Sequence, residues 1–352
     1  MNTTVLNPLP SPTWRRLGVN GAGISLPEIP KEGWGEANSK VTLPDSAAPE
    51  VCPGFSPLES AAGGDLDKLL RDQAGHRLCL TVRGQTKTPV LIQHTLDTDH
   101  PCALSHVTLR ALPGSRINLV EVIRGGVEGS VHGSLTEVQA GEGAQVTLIQ
   151  LQMLDKKATS FSALAAEAGK DAKVDLVRAV LGGERVLCGG KCLLLGRASR
   201  FGANTCYYGD GNGVLDFSDT AIHTGKETGS EIHAAGVLDG ACDKILRGTI
   251  DFRRGAVHGV GHESEDVLLL SPEVRNRTAP LILCGEEQVE GQHAASIGRL
   301  DDRMLYYMAS RGVDQGEARR LLALAKFAPV LDVLPPDLRC EAEAFLEGRL
   351  GT

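Results

Sequence analysis

Histidines and carboxylates in the C-terminal third are the residues of this chain best suited to chemistry. His293 lies in Gln292-His-Ala-Ala-Ser296, shortly after Glu286, Glu287 and Glu290. A neutral imidazole is a borderline ligand that suits Fe(II), and nearby carboxylates can add hard oxygens or orient the ring. Taken alone, such a histidine is more often one that packs or hydrogen-bonds without metal. His258, His262 and Glu263 form a second group. An imidazole buried there would need a hydrogen-bond partner, so the plain reading is an edge position at a protein interface. Cys188-Gly-Gly-Lys-Cys192 offers two thiols, too few for a closed Zn or Fe–S site. They are expected to be structural thiols at a turn. Gly209-Asp-Gly-Asn-Gly213 lacks the Lys-Ser/Thr of a phosphate-binding loop and the spacing of a dinucleotide fingerprint. It is expected to be a turn.

The elements that must position these residues are short. Leu78–Val82, Val90–Ile92, Ile117–Ile123 and Val146–Leu151 are strand-length, β-branched and alternate with period two. A repeat runs through them. A small pair followed by alternating residues recurs at Gly114-Ser115, Gly143-Ala144, Asp171-Ala172, Ala198-Ser199, Gly229-Ser230 and Gly255-Ala256. Its fourth and sixth positions are mostly apolar: Ile117/Leu119, Val146/Leu148, Val174/Leu176, Phe201/Ala203, Ile232/Ala234 and His258/Val260. Alternate side chains point to opposite faces, so one set lines an inner wall and the other faces outward. In this alignment His258 breaks the inward apolar series. A unit of roughly 28 residues cannot bury its inner face alone, and stacked units share one core. The pattern predicts a parallel β-helix over residues 76–299, with a two-sheet sandwich as the structural rival.

Both ends differ from this core. Nine prolines between Pro8 and Pro57 exclude a sustained helix from most of residues 1–75. That segment is expected to be an irregular arm draped over a partner or the core, with one helix at Leu66–Ala74 capped by Asp65. From residue 300 the period turns helical: Asp301 to Ser310, a stop at Gly312, and a capping-box-like Asp314 with Glu317 opening a helix to Phe327. After Pro335 and Pro336, Asp337 starts a short terminal helix. Residues 300–352 are thus expected to be a small helical subdomain.

Composition narrows the function classes. The 352 residues carry 36 Lys and Arg against 44 Asp and Glu, a formal charge of −8. That lacks the electrostatic footprint of a nucleic-acid binder. No apolar run reaches the roughly 18 residues that span a bilayer, and Met1–Pro10 does not resemble a signal peptide. No membrane association is expected, and the cytoplasm is the expected compartment. The nine cysteines include no Cys-x-x-Cys and are read mainly as free thiols, with Cys206, Cys242 and Cys284 as small core residues. Parallel β-helices also host carbohydrate-active enzymes that use acidic residues. Asp210, Asp216 and Asp219 could be imagined in that role, although 4% aromatic residues leave few stacking platforms for sugar rings.

A family resemblance enters through the C-terminal series. Arg247-Gly-Thr-Ile250, Gly255-Ala256, Val267-Leu-Leu-Leu-Ser271, Thr278-Ala-Pro280, Gln292-His-Ala-Ala-Ser296, Ile297-Gly298, Leu305-Tyr-Tyr-Met-Ala-Ser-Arg-Gly-Val313 and Gly316-Glu-Ala-Arg-Arg-Leu-Leu322 follow in that order. This series resembles the end of the core of the SufB/SufD family of the Suf iron–sulfur cluster assembly system. Pro10-Ser-Pro-Thr-Trp14, His223 and Ser230 also sit where family members often carry them. SufB-type chains have an Asn-Cys-Gly segment after the Leu-Leu-Leu run, where this chain reads Ser271-Pro-Glu-Val-Arg275. SufD-type chains typically read Cys-Ser-His-Gly-Ala-Thr, where this chain has Gly291-Gln-His-Ala-Ala-Ser296. The histidine survives and the cysteine does not, so the chain resembles a divergent, short SufD.

The resemblance implies a scaffold subunit, not an enzyme. Its fold would be a right-handed parallel β-helix, paired through that β-helix with a SufB-like chain or with itself. The C-terminal helices would hold the ATPase SufC, with Leu305, Tyr306, Tyr307, Arg311 and Gly312 as the candidate docking residues. His293 would lie at the pairing interface, where transient iron or a nascent cluster passes. No intrinsic cofactor is expected. The absent cysteine puts direct cluster ligation by this segment in doubt.

Overall fold

The computed structural model describes residues 3–13, 15–25, 39–44, 47–49, 55–299 and 302–350. The N-terminal part contributes β1 (Thr3–Leu6), β2 (Ala22–Ser25), β3 (Ser39–Thr42), β4 (Ala47–Pro49) and α1 (Gly64–Gln73). Sixteen strands follow. They are β5 (His76–Val82), β6 (Val90–Leu96), β7 (Cys102–Ala111), β8 (Arg116–Gly125), β9 (Val131–Ala140), β10 (Gln145–Leu154), β11 (Thr159–Ala168) and β12 (Lys173–Val180). The rest are β13 (Arg185–Leu194), β14 (Arg200–Gly209), β15 (Val214–His223), β16 (Gly229–Leu238), β17 (Asp243–Phe252), β18 (Gly259–Leu269), β19 (Arg275–Cys284) and β20 (Val289–Arg299). Three helices close the chain: α2 (Asp302–Ser310), α3 (Gln315–Leu331) and α4 (Pro336–Leu350).

Strands β5–β20 alternate between two sheets. One runs β20-β18-β16-β14-β12-β10-β8-β6-β3 and the other β19-β17-β15-β13-β11-β9-β7-β5-β4. Every pairing within β5–β20 is parallel and joins a strand to the next but one in sequence. The chain is therefore a parallel β-solenoid, two strands per coil, as the repeat predicted. Inward columns run in register from coil to coil, as in Leu119, Leu148, Leu176, Ala203 and Ile232. Those residues belong to the largest apolar core.

One corner explains the repeat. Gly114, Gly143, Asp171, Ala198, Glu227 and His258 all adopt left-handed backbone, with φ of 71°, 66°, 55°, 59°, 60° and 61°. Each backbone N–H donates to the coil above, for example Gly143 N to Lys170 O at 2.8 Å and His258 N to Gln288 O at 2.7 Å. The corners of the fifth and sixth copies therefore differ from the sequence alignment. Glu227-Thr228 and His258-Gly259 hold the positions assigned to Gly229-Ser230 and Gly255-Ala256. The two-residue slip at Gly229 left Ile232 facing inward. The three-residue slip at Gly255 inverted the facing: His258 is an exposed corner residue and does not interrupt the inward series.

The two ends of the solenoid are unlike. β3 pairs antiparallel with β6, and β4 antiparallel with β5, so the first coil is covered. At the other end β19 and β20 are the last strands of their sheets, and the side chains of β20 are exposed along nearly its whole length.

Both flanking segments lie along the coils. The N-terminal arm drapes over the core: Asn7 Nδ2 donates to Asp216 Oδ1 at 2.6 Å, and Leu9 and Val19 pack on Ile245. In α1, Leu66 and Leu70 pack on Leu104, Leu135 and Phe161. Its N-cap is Gly63, and Asp65 stands in the first turn rather than at the cap. The C-terminal helices fold back on the opposite sheet, where Phe327, Val330, Leu338 and Leu346 cover Val122, Leu151, Val177 and Val237. Asp314 caps α3 by accepting from Glu317 N at 2.9 Å. That helix continues through Pro329 to Leu331, beyond the expected end at Phe327, and α4 is 15 residues rather than short. The expected cap at Asp301 lies outside the described residues.

Candidate functional site

His293 stands on the open last strand. Its register partner is Glu263 on β18, which in turn pairs with Ile232 on β16. The column Ala203–Ile232–Glu263–His293 therefore begins apolar and ends in an acid and an imidazole. The lumen at this height is polar. Lys244 Nζ forms a buried ion pair with Glu265, whose carboxylate also accepts from Tyr207 Oη at 2.8 Å and from Thr278 Oγ1. Arg178 pairs with Asp219 at 3.3 Å, both fully buried. Gly248 makes room for this column and Gly190 for the Arg178–Asp219 pair. A Cβ at Gly248 would meet Glu263, and one at Gly190 would meet Asp219.

Glu263 is the unusual member of the set. It is 4% exposed, and its Oε2 has no hydrogen-bond partner. Burial, reinforced by the charges of Glu265 and Asp219, pushes its carboxyl up to about 7. Burial lowers the Lys244 ammonium and raises the Tyr207 phenol well above its ordinary range. Below the exposed imidazole of His293 thus lies a carboxyl that changes charge near neutrality. The imidazole and the carboxyl are register neighbours on adjacent strands, one exposed and the other buried.

The other residues singled out by sequence fall in several places. Glu290 points to the opposite face of β20 from His293 and accepts from Gln292 Nε2 at 2.8 Å. Glu286 caps the preceding turn, accepting from Gly255 N at 3.0 Å, and Glu287 is exposed beside it. The carboxylate sharing the face of His293 is Glu263 instead. His258 and His262 come together on the outer surface, in a groove of about 620 Å³ with Lys173, Asp175, Arg200 and Glu231. His262 Nε2 lies 3.9 Å from Glu290. Glu263 faces the lumen, so the trio expected to share one interface is split across the sheet.

On α2, Leu305 is buried whereas Tyr306 and Tyr307 are 78% and 59% exposed. The Arg311 guanidinium lies 5.2 Å from the Tyr307 ring centre. Gly312, at φ 86°, ends the helix, with Val313 N donating to Met308 O at 3.1 Å.

Cys188, Cys192, Cys206 and Cys242 are buried free thiols, but Cys284, expected in the core, is exposed at the end of β19. Cys79 is disulfide-bonded. Gly209–Gly213 is the turn between β14 and β15. His223 is buried, with Nδ1 2.8 Å from Thr228 Oγ1 and Nε2 2.9 Å from Ser230 Oγ, and burial lowers it to about 4. Each acid of the carbohydrate-enzyme alternative is engaged by a cation. Asp210 pairs with Arg349, Asp216 with Arg247 and Asp219 with Arg178, and Asp216 and Asp219 face opposite sides of β15. No shared acidic cleft results.

Residues 94–326 match the family model described as the SufBD core domain of the SUF system for FeS cluster assembly. The iron–sulfur cluster assembly protein SufD of Bacillus subtilis is 28% identical over 254 residues, 71% of this chain and 58% of that protein. A SufBD family protein of Pyrococcus horikoshii is 26% identical over 245 residues, 69% of this chain and 54% of the relative. One from Staphylococcus epidermidis is 21% identical over 270 residues, 75% and 58% respectively. The chain thus spans a little over half the length of the curated relatives it matches.

Proposed function

The chain belongs to the SufB/SufD family of iron–sulfur cluster assembly proteins, and from that membership we propose that it works as a SufD-like scaffold subunit whose open last coil pairs with a SufB-like chain. The observation that carries this reading is the uncovered end of the solenoid. β19 and β20 present 10 and 11 residues of strand whose outer edge has no partner among the described residues. A long free edge is a template for another strand, and proteins otherwise cover or charge it. Here the first coil is covered and the last is not, and Ile297 on β20 is 52% exposed.

In this reading iron or a nascent cluster is cargo, not a resident cofactor. His293 supplies one ligand, Glu263 holds a nearby carboxyl that can take up or release a proton, and the SufB-like partner completes the shell. Tyr306, Tyr307 and Arg311 form the surface that receives the SufC ATPase, whose hydrolysis supplies the energy. The chain itself performs no bond chemistry. A second reading, a homodimer, draws on the same edges, because a free strand can pair with its own copy about a two-fold axis. Seven of the described cysteines are free thiols, in keeping with the cytoplasmic setting we propose, and the disulfide at Cys79 runs against it.

The test is co-expression with SufB-like and SufC partners. His293→Ala should leave the complex assembled and lower its iron and sulfide content about tenfold or more, the usual scale for losing a metal-site group. Intact assembly with undiminished iron and sulfide removes His293 from the mechanism.

A further inference from the structure

We propose that His94, Glu121 and His132 form a buried site for one divalent transition-metal ion, Fe(II) or Zn(II), inside the first three coils, at the end of the solenoid away from the open rung. The three side chains come from β6, β8 and β9 and are 0%, 2% and 0% exposed. One ligand atom from each lies within 4.8 Å of the others. Glu121 Oε1 is 3.5 Å from His94 Nε2 and 3.9 Å from His132 Nε2. Both separations exceed a normal N–H···O hydrogen bond, and both Nε2 atoms lack a hydrogen-bond partner. Metal bonds of about 2.0–2.1 Å at tetrahedral angles place ligand atoms roughly 3.3 Å apart. Closing the triangle therefore takes shifts of about an ångström at most for the two measured separations.

The surrounding hydrogen bonds decide what the Nε2 of His132 presents. Gln152 Nε2 donates to Gly182 O at 2.9 Å, which fixes the amide and leaves its Oε1 facing Ser160. The Ser160 hydroxyl donates to that oxygen at 2.9 Å. Its single proton is then used, so Ser160 Oγ accepts from His132 Nδ1 at 2.9 Å. In the neutral ring Nε2 carries a lone pair, and that lone pair is directed at a carboxylate oxygen. Two acceptors facing each other in a buried lumen repel unless a cation or a proton donor lies between them. On the other imidazole, His94 Nδ1 lies 2.8 Å from Ser39 Oγ. Glu121 is anchored by Gln150 Nε2 at 2.8 Å and Ser134 Oγ at 3.1 Å on Oε2, and by Ser105 Oγ at 3.3 Å on Oε1. Partners on the far nitrogen that orient metal-binding imidazoles are a regular feature of such sites. Two imidazoles and one carboxylate are the donor set of open Zn(II) and non-haem Fe(II) centres.

This site needs no partner chain, so it succeeds or fails independently of the scaffold reading. The full chain is stripped with a chelator under reducing conditions. It is then loaded with Zn(II), or with Fe(II) without oxygen, and desalted. Metal content and the thermal midpoint are measured. One ion per chain and a midpoint raised by several degrees are expected, with both lost in Glu121→Gln and His132→Gln. Equimolar loading shows which metal the site prefers. Should those variants not fold, Ser160→Ala keeps all three ligands but frees the His132 ring, and should weaken binding about tenfold. Folded wild-type chain that retains no stoichiometric ion overturns the proposal, as does an undiminished ion count in a folded Glu121→Gln or undiminished affinity in Ser160→Ala.

Discussion

Glu263 shows what a single buried acid does to this molecule. Its carboxyl is raised from the ordinary 4.5 to about 7 by burial and by Glu265 and Asp219. The folded state therefore binds more protons than the unfolded state between those two values, and stability falls as pH rises through that window. At 1.36 kcal/mol per unit the cost above pH 7 is about 3 kcal/mol. Glu263→Gln keeps the neutral shape and removes the ionisation. It should be more stable than the wild type by about 2–3 kcal/mol at pH 8, and the two should converge near pH 4.5. Urea unfolding at the two pH values checks this, and an equal difference at both would show that Glu263 does not titrate with folding. Arg178 and Asp219 behave differently because each neutralises the other. Asp219→Asn should cost about 3–5 kcal/mol by leaving the guanidinium buried and unpaired, again read from urea midpoints.

At the level of the coil, the corner residue is the repeating device. Gly143 has φ 66° and open space around its missing Cβ. Gly143→Ala should therefore cost about 1–2 kcal/mol through backbone strain alone. Ala198 has φ 59° at the equivalent corner, and Ala198→Gly should be neutral or slightly stabilising for the same reason. Equal effects of the two changes in thermal or urea unfolding would contradict the shared corner. This device also marks how far the sequence could be read. Period-two alternation was enough to place Leu119, Leu148 and Leu176 on one inner wall, because burial enforces it. It failed at Glu227 and His258, because the corner tolerates residues with no glycine signature and the loop before it varies in length. The polar lumen was legible in principle. Glu121 and Arg178 interrupt the inward series Ile117-Leu119-Ile123 and Val174-Leu176-Val180, but the partners of such a charge come from other coils. Glu263 beside His293 was hidden for the same reason, since the pairing follows from register across 30 residues.

The whole molecule is a rod flanked along part of both sheets and covered at one end, with its last coil bare. Helices α3 and α4 are fastened along one sheet by Phe327 and Leu346 and by ion pairs from Arg349 to Asp210 at 2.6 Å and from Lys326 to Asp266. Tyr306→Ala with Tyr307→Ala removes two exposed rings and should weaken SufC capture about tenfold or more, the scale of losing aromatic anchors, without changing pairing at the last coil. Capture of SufC at wild-type strength in a pull-down would move the docking surface elsewhere. The central claim is that the bare coil is a pairing edge. Its most direct measurement is the mass in solution of the chain mixed with a SufB-like partner, compared with Ile297→Asp. A stable complex is predicted for the wild type. The substitution should lower its affinity at least tenfold while the unfolding midpoint of the isolated chain stays unchanged. A wild-type chain that remains monomeric alone and with the partner, or an Ile297→Asp chain that associates at full strength, would contradict the account.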